Sequence, residues 1–301
     1  MIHFPEISPL TIISGGDDCE IKIWNALNFN LRSTLQGHKL YITTVIYLGN
    51  NLLASASADK TLRIWDISSR EPIIKPCNTY LGLNNTVIIS LLHIKNYNEN
   101  YILMGSIEEN LRIFDLKKGE CVHVLDKKTK WSQNLLDLNH IETNLIAFAS
   151  TKYLKLYNID TCKEVKKLKG HKERIEVLNY FQRDSKDYLI SSGWDRLLNI
   201  WNINKSSPKD SELIVSVIAS DSLIKNLFVA QNYIFVYGID KKGRLWNINY
   251  ETKEIKLHKN LTLDMNCQFV YVDKFNKNAI TKQILVSMSD GTNLINFKIT
   301  I

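Results

Sequence analysis

The sequence has 301 residues, of which 45% are hydrophobic, and 38 lysines and arginines against 31 aspartates and glutamates give a net charge of +7. This hydrophobic content, with aromatic residues spread along the whole chain, excludes a mostly disordered protein, and the moderate charge argues against nucleic acid as the partner. No apolar run approaches the ~18 residues of a membrane-spanning helix, so we expect no membrane insertion.

The N-terminal segment and the cysteines indicate the cellular compartment. MIHFPEISP lacks the charged segment and the apolar stretch of a signal peptide. The cysteines are odd in number, far apart and never arranged as CxxC, which is typical of reduced thiols; they are Cys19, Cys77, Cys121, Cys162 and Cys267. We therefore expect a cytoplasmic or nuclear protein that is not secreted.

A short alternating segment ending in an aromatic residue recurs along the chain. The first is IKIWN (21–25), and two predicted strands, MIHF (1–4) and PLTIIS (9–14), precede it. The recurring aromatic residues are Trp24, Trp65, Phe114, Tyr157, Trp201, Trp246 and Phe297. Their spacings are 41, 49, 43, 44, 45 and 51 residues, which indicates a repeat array rather than two unrelated domains.

The second repeat shows the predicted content of one unit. Alternating, β-branched segments at 42–48, 51–57, 61–67 and 71–77 predict four strands. Turn residues separate them, and no segment has a convincing helical period. Each repeat is therefore predicted to be a small four-stranded antiparallel sheet.

The repeat resembles the WD40 family. The residues that carry the resemblance are GHK at 37–39 and 170–172, the turn aspartates Asp18, Asp59, Asp195 and Asp240, and WD at 65–66. The resemblance implies an all-β, seven-bladed β-propeller of four-stranded antiparallel blades, with residues 1–301 as a single domain. Repeats three, four and seven depart from the pattern because they lack GH and the turn aspartate.

The last predicted blade lacks its outer strand. TNLINFKI (292–299) is predicted as a third strand, which leaves 27 candidate strands where seven complete blades would need 28. An unpaired strand edge promotes pairing with another chain. Three explanations stay open: missing upstream residues supply the strand, a partner donates it, or the blade has three strands.

The resemblance also implies two buried hydrogen-bonded tetrads. They are His38, Ser55, Asp59 and Trp65, and His171, Ser191, Asp195 and Trp201, with a partial set at Ser14, Asp18 and Trp24. Serine, histidine and aspartate together also suggest a hydrolase triad. We expect no catalytic site, because the set occurs twice and no GxSxG or phosphate-binding loop accompanies it. No cofactor and no metal site are expected either.

In the family, partner contacts recur just before the turn aspartate and beside the first apolar residue of the inner strand. Carried onto this chain, these positions are Asp17, Ala58, Ile107, Ser150, Trp194 and Ile239, with Tyr41, Thr43, Arg174 and Glu176. Trp131, among lysines, is a further exposed-aromatic candidate. Trp194 is either an interface anchor or a ring packed on its own sheet.

These residues predict a non-catalytic scaffold or adaptor that binds other proteins or peptides, including acidic or phosphorylated peptides, on the top face. One alternative is a structural subunit of a large assembly, such as a coat, ciliary, ribosome-biogenesis or RNA-processing complex. Another is a substrate receptor in a ubiquitin-ligase or signalling complex. The fold alone does not decide among them.

Overall fold

The computed structural model describes residues 2–3, 11–25, 28, 30–68, 71, 73–76, 78–81, 86–94, 98–106, 111–126, 132–137, 144–230, 232–250, 252–262, 269–273, 283–289 and 294–300. Ile107, Trp131, Cys77 and Cys267, which the sequence analysis singles out, lie outside these residues. The regular secondary structure of the described residues is β-strand, apart from one 3₁₀ turn at Pro208–Asp210.

The strands follow one another in chain order with short connections. The first nine are β1 (Ile2–His3), β2 (Thr11–Gly15), β3 (Ile21–Asn25), β4 (Leu31–Leu35), β5 (Ile42–Gly49), β6 (Leu52–Ser57), β7 (Thr61–Asp66), β8 (Ile73–Ile74) and β9 (Asn78–Leu81). The next eight are β10 (Ile88–His93), β11 (Tyr101–Ser106), β12 (Leu111–Asp115), β13 (Glu120–Asp126), β14 (Ser132–Asp137), β15 (Leu145–Ser150), β16 (Tyr153–Asn158) and β17 (Lys163–Lys169). The remaining strands are β18 (Ile175–Arg183), β19 (Lys186–Gly193), β20 (Leu197–Ile203), β21 (Glu212–Ile218), β22 (Ile224–Ala230), β23 (Tyr233–Gly238), β24 (Lys242–Asn249), β25 (Glu254–Thr262), β26 (Phe269–Asp273), β27 (Gln283–Ser289) and β28 (Leu294–Thr300).

Strands that are consecutive in the sequence are neighbours in the sheets. Four-stranded sheets are formed by β10–β13, β14–β17, β18–β21 and β22–β25, and by β5, β6, β7 and β9. Strands β1–β4 form a further sheet with β8 at its edge, and β26–β28 form a sheet of three described strands. The predicted all-β class of repeated four-stranded antiparallel sheets is confirmed, whereas the number of blades and the single domain stay predictions.

The prediction that residues 71–77 form the fourth strand of the second repeat was wrong. Strand β9, which begins just after this segment, pairs with β7. Strand β8 instead runs parallel to β4, with Thr34 opposite Ile73 and Leu35 opposite Ile74. Pro72 and Pro76 flank this short strand in the sequence, and proline, which has no N–H to donate, is confined to sheet edges and strand ends.

The chain divides into two compact units, residues 1–150 with 157–164, and residues 151–156 with 165–301. In each unit, apolar clusters fill the space between successive sheets. In the second unit one cluster joins Ile190 and Ile200 of β19 and β20 to Leu227 and Val236 of β22 and β23. Because successive side chains of a strand point to opposite faces of its sheet, one set enters such a cluster and the other set faces away.

The turn aspartates shape the hairpins that follow the second strands. In each, the carboxylate accepts the backbone N–H two residues further on, at 3.0 Å from Asp59 and 3.1 Å from Asp195. The intervening residues, Lys60 and Arg196, have positive φ angles of 67° and 64°. A bond of this kind stabilises a tight turn and so offsets a backbone conformation that non-glycine residues seldom adopt.

β-Bulges recur at the start of the first strand of several sheets. The register with the second strand shifts between Ile42 and Thr44, between Ile175 and Val177, and between Ile224 and Asn226. The extra residue at each of these bulges is Thr43, Glu176 or Lys225. A bulge redirects the side chain of its extra residue.

Candidate functional site

The first predicted tetrad forms one continuous chain of hydrogen bonds. His38 Nδ1 lies 2.9 Å from Asp59 Oδ2, and His38 Nε2 lies 2.7 Å from Ser55 Oγ. The Trp65 indole donates to Ser55 Oγ at 2.8 Å. One tautomer satisfies every group: Nδ1–H donates to the carboxylate, and the serine hydroxyl donates to Nε2 while accepting the indole proton.

The second tetrad has the same geometry in the sheet β18–β21. His171 Nδ1 lies 2.9 Å from Asp195 Oδ2, His171 Nε2 lies 2.8 Å from Ser191 Oγ, and Trp201 donates to Ser191 at 2.8 Å. Ser191, like Ser55 in the first tetrad, is completely buried. Neither serine hydroxyl faces the surrounding solvent from which a substrate would have to approach.

The partial set in the first sheet keeps only part of this chain. Trp24 donates to Ser14 Oγ at 2.8 Å, and Asp18 accepts the N–H of Glu20 at 3.2 Å. The Lys22 ammonium contacts the Asp18 carboxylate. The aspartate therefore holds its turn with a lysine as its charged neighbour.

The electrostatics of the first tetrad favour a neutral histidine and an ionised aspartate. Burial of the imidazole lowers the pKa of His38 below its usual value, despite the opposing hydrogen bond and charge of Asp59. Burial by itself would raise the pKa of Asp59, but bonds from Thr61, the Lys39 N–H and His38 outweigh it and lower the pKa to about 2. At neutral pH, His38 is therefore uncharged and Asp59 carries the negative charge.

Acid should destabilise this tetrad. The folded network lowers the pKa of both groups. As pH falls below 6.5, the unfolded chain therefore binds a proton at His38 more readily than the folded protein does, and below pH 3.8 the same holds for Asp59. Both groups therefore contribute stability at neutral pH; the part from His38 declines as pH falls below 6.5, and the part from Asp59 is lost between 3.8 and about 2. The lowering of the Asp59 pKa from 3.8 to about 2 corresponds to roughly 2 kcal/mol of stability.

We expect Asp59→Asn to be less stable than the wild type at pH 7 by roughly 2 kcal/mol, with the difference shrinking toward pH 3. Thermal unfolding of both proteins at pH 7, 5, 4 and 3 measures this. Asp184→Asn, at an aspartate whose side chain is 82% exposed, is the control and should track the wild type throughout. A stability difference that stays constant with pH would contradict the lowered pKa of Asp59 in the folded tetrad.

Trp194 is the most prominent candidate contact residue. It lies in the turn between β19 and β20, and 48% of its surface is exposed. Its indole N–H donates to Glu176 Oε2 at 3.1 Å, and the Arg174 guanidinium carbon lies 5.8 Å from the ring centre. The ring is thus held by polar contacts at its edge while a large part of it faces solvent. The role of Trp194 as an interface anchor stays a prediction.

Two charged bulge residues connect Trp194 to the next sheet. Glu176 Oε1 lies 3.6 Å from the Lys225 ammonium, and Glu176 Oε2 lies 3.5 Å from Arg174 Nε. Ile239 occupies the position of Trp194 in the sheet β22–β25 and is 55% exposed. We call these five residues, Arg174, Glu176, Trp194, Lys225 and Ile239, the tryptophan surface.

Lys225 was not among the contact positions predicted from the sequence. The sixth repeat lacks GH, so its inner strand could not be aligned by motif. The bulge supplies the missing signal, because Lys225 is the extra residue there just as Glu176 is in the preceding sheet. An extra polar or charged residue directly after the first isoleucine of the inner strand is the sequence feature that could have found it.

The candidate positions of the first unit are arranged differently. The predicted positions Tyr41 and Asp17 are exposed, Tyr41 to 46%. Leu40, which was not among the predicted positions, is 50% exposed. The Thr43 hydroxyl instead donates to the Ile88 carbonyl at 2.7 Å. Thr43 therefore connects two sheets, whereas Leu40 and Tyr41 present apolar surface to solvent.

The described residues contain neither a membrane-spanning helix nor a cluster of metal ligands. No helix among them is long and apolar enough to cross a bilayer. Within the same residues, histidine, cysteine, aspartate and glutamate form no cluster of three or more suited to a metal ion.

Comparison with known proteins identifies two of the repeats. Residues 29–66 and 162–202, which contain the two tetrads, match the family model "WD domain, G-beta repeat". The chain is also similar to the crystal structure of a computationally designed protein, with a TM-score of 0.67 and 16% identity over 96% of this chain and 81% of that one. That likeness supports the fold alone.

Curated relatives are distant and longer. The chain is 21% identical to "Nuclear distribution protein nudF" of Aspergillus niger, over 82% of this chain and 58% of that protein. It is 22% identical to "p21-activated protein kinase-interacting protein 1-like" of Xenopus laevis, over 70% and 55%. "Histone acetyltransferase type B subunit 2" of Candida glabrata is 27% identical over 53% and 38%. The chain thus spans less than two thirds of each of these relatives.

Proposed function

We propose that this chain, which belongs to the WD40-repeat family, is a non-catalytic interaction scaffold. Its protein partner binds on the tryptophan surface. The relatives include a protein named for its interaction with a kinase. The observation that carries the proposal is Trp194, which is half-exposed while its indole N–H is bonded to Glu176.

A fixed, exposed tryptophan suits a binding anchor. Tryptophan and arginine dominate the binding energy of protein interfaces, and a side chain that is already positioned loses little entropy on binding. Glu176 orients the indole edge, and the Arg174 guanidinium lies beside the ring. The same carboxylate pairs with Lys225, so one acidic residue orders three neighbours.

The charges around the anchor favour an acidic partner. Lys172, Arg196 and Lys241 are exposed and lie next in sequence to the tetrad histidine or to the turn aspartates. The exposed Glu173 and the paired Glu176 offset only part of the positive charge of these residues and of Arg174 and Lys225. We therefore propose an acidic or phosphorylated peptide as the partner segment, since arginine and lysine bind carboxylates and phosphates strongly.

The buried tetrads support the absence of catalysis. A nucleophilic serine must meet its substrate, but Ser55 and Ser191 are completely buried, and each already accepts an indole N–H. We propose that both tetrads fix the sheets in register rather than react. Location in the cytoplasm or nucleus stays a prediction.

The test is affinity purification of the intact protein from its own cells. We expect Trp194→Ala to reduce partner recovery at least tenfold, the effect of losing about 1.4 kcal/mol at an anchor. Leu31→Ala removes an apolar side chain of similar exposure, 49%, from another sheet and should leave recovery unchanged. Equal recovery with both variants would show that the tryptophan surface is not the binding site.

The purified partners also decide between the two remaining functional classes. Stoichiometric subunits of one large complex favour a structural role, and short acidic or phosphorylated segments favour an adaptor or substrate receptor. Donation of a strand by a partner to the sheet β26–β28 stays a prediction, supported by the three described strands of that sheet and by the tendency of open edges to pair.

A further inference from the structure

The sheet β22–β25 lacks the tetrad but keeps its framework. Val236 lies opposite Arg244 at the register position where Ser191 lies opposite Asn199. Four residues before the first isoleucine of the inner strand, Ser220 stands where the two tetrad sheets have His38 and His171. Without a serine partner, the Trp246 indole donates to the Ala219 carbonyl at 3.3 Å. The polar centre of this sheet must therefore be built differently.

Arg244 takes over that centre. Its Nη2 lies 2.6 Å from Asp240 Oδ2, and its Nη1 lies 3.4 Å from Asp240 Oδ1, so the guanidinium meets the turn aspartate with both nitrogens. Nη2 also donates to Asp221 Oδ2 at 2.9 Å. The Arg244 side chain is only 5% exposed, and a buried charge of this kind is stable only when it is paired.

The two carboxylates on Arg244 differ in how firmly they are held. The Asp240 side chain is 20% exposed and accepts the Lys242 N–H in its turn at 3.2 Å. The Asp221 side chain is 86% exposed, and its Oδ2 contacts Arg244 from an exposed loop. An exposed ion pair contributes little net stability, so Asp221 can leave at little cost while Asp240 stays.

A cavity opens beside this pair. It has a volume of about 480 Å³ and lies between the outer strands β21 and β25 of two successive sheets of the second unit. Its apolar walls are Ile218, Leu257 and Trp246, and its polar lining includes Arg244, Lys242 and Asn260. Ile218 and Leu257 are 62% and 44% exposed, which leaves apolar surface open at the rim.

We propose that this cavity binds a carboxylate attached to a branched apolar group, and that Asp221 occupies the carboxylate position when the ligand is absent. The chemistry follows from the occupant seen in the structure, because a carboxylate already lies on Arg244. Lys242 at the rim favours a negatively charged ligand over a neutral one. Ile218 and Leu257 provide apolar surface for the aliphatic group of that ligand. Small-molecule sites in proteins have this size and this mixture of apolar walls with few polar groups.

Two sources can present this chemistry: a free organic acid, or an acidic residue flanked by aliphatic residues in a partner segment. None of the five residues of the tryptophan surface lines the cavity, and the present proposal does not depend on the function of that surface. Trp194→Ala should therefore leave binding in the cavity unchanged. This separates a failure of the present proposal from a failure of the scaffold proposal.

The test is a pair of saturation-transfer NMR titrations on the whole protein. The first compares 4-methylpentanoate with its uncharged amide, and the second compares an acetylated, amidated Leu-Glu-Ile peptide with its Leu-Gln-Ile counterpart. We expect an acid to bind and its amide or glutamine counterpart to bind at least tenfold more weakly. Binding of the free acid alone indicates a small metabolite, and preferential binding of the peptide indicates a partner segment; either result supports the site.

Variants connect binding to the named residues. Asp221→Asn removes the competing carboxylate and should tighten binding of the acid by a factor between about two and five, because the exposed ion pair that the acid displaces contributes little net stability. Asp184→Asn, at an equally exposed aspartate, should have no effect. Leu257→Asp places a negative charge on an exposed wall residue and should abolish binding without disturbing the core. The proposal is overturned if neither acid binds, if the neutral analogues bind equally well, or if Asp221→Asn weakens binding.

Discussion

Replacing Asp195 with alanine should lower the free energy of unfolding of its sheet by about 3 kcal/mol. Its carboxylate accepts His171 Nδ1 at 2.9 Å, the Lys172 N–H at 2.8 Å and the Leu197 N–H at 3.1 Å. Alanine leaves all three donors without this acceptor, and the imidazole among them is buried. The buried donor accounts for most of the cost, because water cannot easily replace the lost partner.

Three comparisons test the origin of this loss. Asp17→Ala, at an exposed aspartate whose backbone φ is not positive, should change stability by less than about 0.5 kcal/mol. Asp195→Asn keeps one acceptor oxygen and should fall between alanine and the wild type. His171→Ala combined with Asp195→Ala should cost clearly less than the sum of the two single changes, because both remove the same network. An unchanged melting temperature for Asp195→Ala would refute the structural role of the tetrad.

The sequence predicts much of the fold because the repeat is encoded locally. Each third strand ends in its own aromatic residue, and Asp59 and Asp195 each shape a tight turn within a few residues of themselves. Such short-range signals do not depend on knowing the rest of the chain. The all-β class and the four-stranded antiparallel units therefore follow from the sequence alone.

The errors and omissions of the sequence analysis involve long-range pairing. Residues 71–77 alternate like a fourth strand, but β8 within them pairs parallel with β4, and β9 takes the predicted place. Edge pairing between sheets leaves no local pattern, so periodicity alone could not reveal it. The position of Lys225 was likewise not visible in the local pattern, because it depends on a bulge in the pairing of β22 with β23.

Arg244 shows why a missing motif does not mean a missing network. Its position two residues before the repeat aromatic is basic in several repeats, as at Lys22 and Arg63. Where the histidine and serine are replaced by Ser220 and Val236, Arg244 occupies the centre between two aspartates. The sequence shows the replacement, but the resulting geometry depends on which side chains reach the vacated space.

Gly193→Ala should destabilise the second unit by roughly 3 kcal/mol, at the upper end of the usual cost of overpacking. A Cβ atom at Gly193 would lie 2.1 Å from the Arg174 carbonyl oxygen and 2.8 Å from Ile175 Cα. Both are backbone atoms, so no side-chain rotation relieves the overlap. Ser57 holds the equivalent position in β6, and its hydroxyl donates to the Leu40 carbonyl, so the cost arises from the path of the backbone at Arg174 rather than from the repeat itself.

Gly16 provides a matched control at the same position in the first sheet. A Cβ there would have its nearest neighbour, Asp18 Oδ1, at 3.7 Å, an ordinary contact, so Gly16→Ala should change stability by no more than about 1 kcal/mol. Gly193→Ala should also reduce partner recovery, because the Arg174 carbonyl that must move accepts the Trp194 N–H at 2.9 Å. Thermal unfolding and affinity purification of both variants measure the two effects. Equal stability of the two variants would contradict the close backbone approach at Gly193, and loss of stability with full partner recovery would show that binding does not depend on the position of Trp194.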